Sequence, residues 1–420
     1  MDTFNTDKVN RDALSRLARQ NRQSVIDHTL ELLARPSDNP PGDTRSVADY
    51  LVNVLEQIPG VTVERHETAP LIQNVVAHVS GRGPGKRLIF NGHLDTFPMG
   101  DRSAWTRNPK GEVFDGKIFG LGVSDMKGGL AACLFAFENM AASRDDWAGE
   151  VVLTFAGDEE TMGVLGSKFL IENVPHARGD AVICADVGSP AVLRIGEKGL
   201  LWLKISATGK TAHAAHVHRG DSAIEKLLVM LSHVKALTAM RPKGRDDVEK
   251  IVRKAAHISE AFSGAGESDV LLSLTATIGT ISGGRLSNLI ADHAEATADI
   301  RIPLGISTDE VLTALNAAVA DLQGVKIEVV RRYEASWTDP QHPLVKTLTR
   351  AACEVLRIDP VVNMRVGASD SRLHRAAGMA TVVCGLTPNN MGSADEYVDV
   401  DELTGLGELL TLAAYDFLTA

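Results

Sequence analysis

The sequence predicts an α/β fold: a mixed, largely parallel sheet sandwiched by helices, with a ferredoxin-like βαββαβ module inserted into it. Three observations carry that expectation. Short apolar strands alternate with helical stretches through the first half of the chain. Near residue 198 the order changes to βαββαβ. From about residue 335 the α/β alternation returns and runs to the C-terminus. Residues 1–197 and 335–420 are therefore expected to form one domain, and 198–334 a second inserted into it. A chain of 420 residues also exceeds what one hydrophobic core usually organises.

Residues 8–34 carry a helical repeat (Val25, Ile26, Leu30, Leu33) that stops at Arg35-Pro36. The loop Asn39-Pro40-Pro41-Gly42 precedes a second amphipathic helix that ends near Gln57. Strands are expected at 73–79, 86–91, 151–156 and 180–185, with helices at 127–141 and 163–172. The inserted module reads as strand 199–206, helix 220–238, strands 271–281 and 293–302, helix 308–321 and strand 325–332. A charged stretch, 241–269, interrupts it as a helical insertion or surface loop. Helix 343–356, strand 361–366, helix 371–377, strand 380–384 and helix 401–418 complete the chain.

Composition narrows the function classes. Hydrophobic residues at 44% and charged residues at 23% exclude global disorder. A net charge of −11 argues against a nucleic-acid partner. No apolar run approaches the ~20 residues that span a bilayer, so no membrane partner is expected. The N-terminal segment is polar and lacks an apolar signal core, which predicts no export. Cys133, Cys184, Cys353 and Cys384 form no CxxC pair, which argues against a disulfide scaffold and a cysteine zinc site. A cytoplasmic location is the expectation.

Metal-competent residues cluster just after the expected strands, where open α/β sheets gather ligands. His93 and Asp95, in Gly92-His93-Leu94-Asp95, lie on one side of an extended chain. That spacing suits a ligating imidazole with a supporting carboxylate, although most such triplets are surface loops. Asp125 precedes an apolar helix and two glycines, where it can bridge cations or serve as an ordinary N-cap. Asp158-Glu159-Glu160 closes a strand; adjacent acids need an offsetting cation, unless the turn is simply solvated. Asp186 adds a carboxylate at the same edge. Singly each has a bland reading, but four such sites at successive strand ends are poorly explained by chance.

With these markers the chain resembles the co-catalytic zinc metallopeptidase family of acetylornithine deacetylase, succinyl-diaminopimelate desuccinylase, aminoacylase and glutamate carboxypeptidase. Further markers are Ser124-Asp125-Met126-Lys127-Gly128-Gly129, Gly283-Gly284, Asn288, Asp299-Ile300-Arg301 and Asp395-Glu396-Tyr397-Val398. The resemblance runs from about residue 25 to the C-terminus, and it implies that the insert is a lid and dimerisation domain. It makes His93, Asp125 and Asp186 ligands of one metal, with Asp125 bridging to a second held by Glu160 and a C-terminal histidine. Glu159 would be the general base and Asp95 would support His93. His213 would reach the neighbouring subunit's active site in a homodimer or higher homo-oligomer. Asn288 and Arg301 would hold the carboxylate of a small anionic substrate; otherwise Asn288 is a turn residue and Arg301 an ion-pair partner of Asp299. His216 and His218 read as solvent-facing neighbours of His213.

One departure changes the expected chemistry. The family's last metal-binding histidine lies four or five residues before the glutamate matched by Glu396, where this chain has Gly392 and Met391. His342 and His374 are placed by no motif, and the amides of Asn389 and Asn390 are weak ligands for a transition metal. One divalent transition metal per chain (zinc, manganese or cobalt), with Glu160 as an added ligand, is the expected state. The first functional expectation is hydrolysis of the C–N bond of an N-acyl amino acid or small peptide amide. The second is an atypical single-metal member resembling 5-nitroanthranilate aminohydrolase, which releases ammonia from an electron-poor aminobenzoate. An inactive binding or scaffold protein of the same fold is the third, and the presence of Glu159 and Asp95 weighs against it.

Overall fold

Leu88, Ile89 and Phe90 are all fully buried, as expected for a strand covered on both faces. In the computed structural model, which describes residues 3–420 with side chains from residue 10, this strand lies inside a nine-stranded sheet. Its order is Thr62–Ala69, Ile72–Ser80, Glu150–Ala156, Arg87–His93, Ala181–Cys184, Ala380–Val383, Val192–Glu197 and Ser336–Trp337, with Val361–Arg365 beside Val192–Glu197. The four strands from Glu150–Ala156 to Ala380–Val383 are mutually parallel; the flanking strands are antiparallel.

Alternation sorts the side chains. Leu88, Phe90, Leu153, Phe155 and Ile183 join one core with the helices Gln23–Leu33, Gly128–Ala142, Pro343–Val355 and Val400–Thr419. Asn91 faces the other way, where its Nδ2 donates to Ser167 Oγ (3.3 Å) at the start of the helix Ser167–Asn173. No helix among the described residues is long and apolar enough to cross a membrane.

The chain divides into two units, and the first comprises the residues up to Ile195 with Trp337–Asn363 and Ala368–Ala420. The second comprises Gly196–Ser336 and Met364–Gly367. Its four-stranded antiparallel sheet has the order Thr275–Gly283, His293–Ile302, Gly199–Thr208, Val325–Tyr333. Leu201, Leu203, Ile205 and Ala207 pack on the helices Ala223–Ala236 and Thr308–Ala320. The charged stretch is helical: Asp246–Ser263 and Glu267–Leu272.

Several expectations change. The helix expected at 8–34 is two, Thr3–Gln20 and Gln23–Leu33, with a turn at Asn21-Arg22 between them; Leu14 and Ala18 are buried where Ser15 meets Glu408 of the last helix, while His28 meets Glu138. The expected strand at 271–281 begins at Thr275, since residues 271–272 complete a helix. Residues 163–166 are not helical; Gly163 has φ +67° and the helix starts at Ser167. Thr62–Ala69, Val192–Glu197 and the small sheet of Glu112–Phe114, Lys117–Phe119 and Tyr397–Asp399 were not anticipated.

Candidate metal centre

Arg87–His93 runs parallel to both Glu150–Ala156 and Ala181–Cys184, with His93 opposite Ala156 and Asn91 opposite Cys184. His93, the Asp158-Glu159-Glu160 turn and Asp186 therefore leave the sheet at one end. Asp125 reaches the same end from the turn Val123–Lys127, which precedes the helix Gly128–Ala142. Glu396 anchors that turn: its buried carboxylate accepts hydrogen bonds from Gly122 N (2.9 Å), Ser124 N (2.8 Å) and Ser124 Oγ (2.6 Å). A Cβ on Gly129 would lie 2.1 Å from Ala185 O, so only glycine lets the helix approach the strand that delivers Asp186.

His93, Asp125 and Asp186 are buried, and each offers a ligand atom within 4.8 Å of the others. His93 Nε2 is 3.0 Å from Asp125 Oδ1, so Asp125 is not spent as an N-cap. Burial alone drives the His93 imidazole toward neutrality; hydrogen bonds to Asp125 and Asp95 and the Glu159 charge outweigh it and hold the pKa well above its usual value. Two buried carboxylates converging on one imidazole need positive charge, and this donor set fits a divalent transition ion.

Asp95 faces both His93 and the acidic turn. His93 Nδ1 is 2.9 Å from the Asp95 carbonyl oxygen and 3.5 Å from its carboxylate. The carboxylate also accepts from Glu159 N and Glu160 N (both 3.1 Å) and from Asn39 Nδ2 (2.8 Å), which fixes the acidic turn. That turn is not solvated. Asp158 is buried, accepts from Leu165 N (2.8 Å), and is pushed up to about 7 by burial.

Glu159 is raised well above the usual carboxylate range by burial, opposed by the His93 charge and reinforced by Asp370. Arg372 Nη1 lies 3.9 Å from Glu159 Oε1, and its Nη2 donates to Met162 O (2.9 Å). Glu160 stands outside the trio of ligand atoms; its Oε1 is buried without a hydrogen-bond partner, and burial pushes the group to about 8. Asn39, Asp370 and Arg372 thus belong to this site although no sequence signal singled them out. Each sits in a loop or short helix far along the chain from the residues it serves.

The C-terminal segment supplies no histidine to the trio. The amides of Asn389 and Asn390 donate to Thr387 O (3.3 Å) and Asp395 O (3.2 Å), and Met391 is exposed. His342 caps the helix Pro343–Val355 by accepting from Leu344 N (3.2 Å). His374 is buried, and neither ring nitrogen has a hydrogen-bond partner.

In the second unit, His213 and Asn288 are exposed and adjacent: His213 bridges to Leu289, and Ala214 N donates to Asn288 O (2.8 Å). Arg301 is held by Asp299 through two hydrogen bonds, Nε–Oδ1 at 2.8 Å and Nη2–Oδ2 at 3.0 Å, the ion pair that was its alternative role. His216 and His218 are exposed.

Comparison with known proteins agrees with this architecture. A succinyl-diaminopimelate desuccinylase of Cereibacter sphaeroides is 29% identical over 360 residues, covering 83% of this chain and 88% of that protein. An M20 family metallo-carboxypeptidase of Sulfolobus solfataricus superposes with a TM-score of 0.77 at 18% identity, over 94% of this chain and 99% of the other. The aminopeptidase PepT of Bacillus cereus gives 0.74 at 20% identity, over 94% and 99%. Residues 89–416 match the family model described as peptidase family M20/M25/M40. The chain is a member of that family, and so a metal-dependent hydrolase acting on carbon–nitrogen bonds.

Proposed function

We propose that this enzyme hydrolyses the amide bond of a small carboxylate-bearing substrate, an N-acyl amino acid or short peptide, with Glu159 as general base. The carrying observation is the buried trio His93, Asp125 and Asp186 with the raised carboxylate of Glu159 at the same sheet end. The names of the desuccinylase relatives support an acyl amide as the scissile group. His93, Asp125 and Asp186 would hold one divalent ion, which when bound acidifies water and polarises a carbonyl. Glu159 takes the proton of the attacking water and returns it to the leaving nitrogen. Arg372 limits the motion of the Glu159 carboxylate, and Asp95 holds the backbone on which it is mounted.

Glu159→Gln is expected to lower kcat by at least about 100-fold while leaving metal content unchanged, since the amide keeps the shape without accepting a proton. Asp186→Ala is expected to lose the ion as well as turnover. Retention of most of the rate by Glu159→Gln would remove Glu159 from the role of base.

Gly392 and Met391, at the positions matching the family's last histidine, favour a second reading: a single-ion aminohydrolase that acts on an electron-poor aminobenzoate. The products separate the two. Amide cleavage yields an amine and a carboxylic acid; aryl deamination yields ammonia and a phenol. Ammonia from an aminobenzoate, with no acyl amino acid cleaved, would install the second reading.

We further propose that the protein works as a homodimer in which His213 serves the partner's active site. Its exposed position on the second unit supports that role. Mixed His213→Ala and Glu159→Gln chains are expected to recover part of the activity after subunit exchange. A monomer by sedimentation would rule this out.

A further inference from the structure

At the far end of the large sheet lies a second group of ligand-type side chains that the proposed reaction does not use. Glu64 and His78 come from paired antiparallel strands, with Thr62 opposite His78 and Glu64 opposite Val76. They are therefore diagonal neighbours on one face. His176, in the turn Pro175–Ala177, stacks on His78 with ring centroids 3.8 Å apart and planes 9° from parallel. Glu64, His78 and His176 each offer a ligand atom within 4.8 Å of the others. All three are partly buried.

The neighbours complete the setting. His176 Nδ1 is buried without a hydrogen-bond partner, and Glu150 Oε2 lies 3.8 Å away. His66 Nε2, also buried without one, is 3.5 Å from Glu64 Oε2. Arg87 Nε donates to Glu150 Oε2 (2.5 Å), which leaves Glu64 as the carboxylate committed to the trio. Burial and the neighbouring His176 lower the pKa of His78, against the opposing charges of Glu150 and Glu64, and so favour the neutral, ligand-competent imidazole. Glu150 and Ala156 end the same strand, six residues or about 20 Å apart, so this cluster and the His93 centre are separate.

We propose that Glu64, His78 and His176 form a second, structural site for a divalent transition ion such as zinc. Two imidazole nitrogens and a carboxylate oxygen make a donor set suited to that class of metal. Imidazole lone pairs lie in the ring plane, and two nearly parallel rings cannot aim at one point. Ion capture therefore turns one ring about its Cβ–Cγ bond. His176, in a three-residue turn at the sheet margin, is the ring free to do so. With bonds of about 2.0–2.1 Å, the ligand atoms must also draw together to roughly 3.4 Å. The bound ion would tie two outer strands to the turn that leads into Ala181–Cys184.

The experiment uses the full chain carrying Asp186→Ala, which disables the catalytic centre. Chelator-stripped protein is reloaded with zinc chloride alone, gel-filtered and analysed for metal, and cobalt loading is followed by its visible absorption. About one equivalent is expected to remain, with the intense bands of four-coordinate cobalt. Adding His176→Gln, or separately Glu64→Gln, is expected to weaken that binding by more than about 100-fold, with circular dichroism unchanged. Equal zinc retention by the Asp186→Ala parent and both double variants would overturn the proposal. So would the absence of a cobalt spectrum in the parent, which needs no second substitution to fold.

Discussion

His374 is an imidazole without a task. It is buried, neither ring nitrogen has a hydrogen-bond partner, and burial with the charge of Arg375 pushes its pKa down to about 3. The unfolded chain protonates this residue near pH 6.5 while the folded chain does not. Unfolding therefore takes up a proton, and stability falls as the pH drops from 6.5 toward 3. By pH 5 the loss is about 2 kcal/mol, at roughly 1.4 kcal/mol per unit. His374→Leu is expected to remove most of that loss, read as urea midpoints at pH 7 and pH 5; an unchanged pH dependence would place the proton elsewhere. The same residue shows what the sequence could not convey about the site. His93, Asp125, Glu159 and Asp186 each follow a strand or precede a helix, so a local pattern marks them. His374 offers only a histidine on a helix, and nothing local says whether it binds metal or fills a core. Asn39, Asp370 and Arg372 are likewise recognisable only when the fold brings distant loops together.

Elements show the same division. The strand His293–Ile302 alternates buried and accessible residues, and the central strands carry short apolar runs such as Leu88-Ile89-Phe90, so both were legible. The outer strand Thr62–Ala69 reads TVERHETA and has no fully buried residue, which leaves no hydrophobic period to detect. The break at Asn21-Arg22 carries no glycine or proline. Both flanking helices pack on the helices Gly128–Ala142 and Val400–Thr419, so no local signal marks the turn between them. The first of these helices is pinned by charge: Arg11 meets Asp416 (2.7 Å) and Glu354 (2.8 Å), and Ser15 donates to Glu408 (2.9 Å). Arg11 is largely buried and Asp416 more so, so the pair is not discounted as a surface contact. Arg350 remains on Asp416 (2.7 Å) when Arg11 is removed, which limits the damage. Arg11→Ala is therefore expected to cost about 2 kcal/mol in chemical unfolding. A cost below about 0.5 kcal/mol would mean that Leu14, Ala18 and the Ser15–Glu408 bond hold the helix without help from Arg11.

For the whole molecule, the informative feature is where the main segment of the second unit, Gly196–Ser336, leaves and rejoins the chain. Leu200 and Tyr333, near its two ends, are opposed residues of adjacent antiparallel strands. Such residues lie about 5 Å apart, so the segment between them can be removed without stretching what remains. The segment has a core of its own, in which Leu201, Leu203 and Ile205 meet Leu227, Met230, Val311 and Leu315. The residues of the metal trio all belong to the other unit. Excised residues 197–335 are thus expected to unfold cooperatively on their own, and the remainder, closed with a short glycine linker, to keep the ion held by His93, Asp125 and Asp186. Its activity is the decisive reading. If His213, Asn288 and Arg301 act on substrate, the shortened enzyme should lose at least about 100-fold in kcat/KM with metal content intact, equivalent to nearly 3 kcal/mol of transition-state stabilisation. Undiminished hydrolysis by the shortened, metal-loaded chain would place the whole reaction on the parallel sheet. It would also leave Arg301 with the role its geometry already displays, that of an ion-pair partner for Asp299.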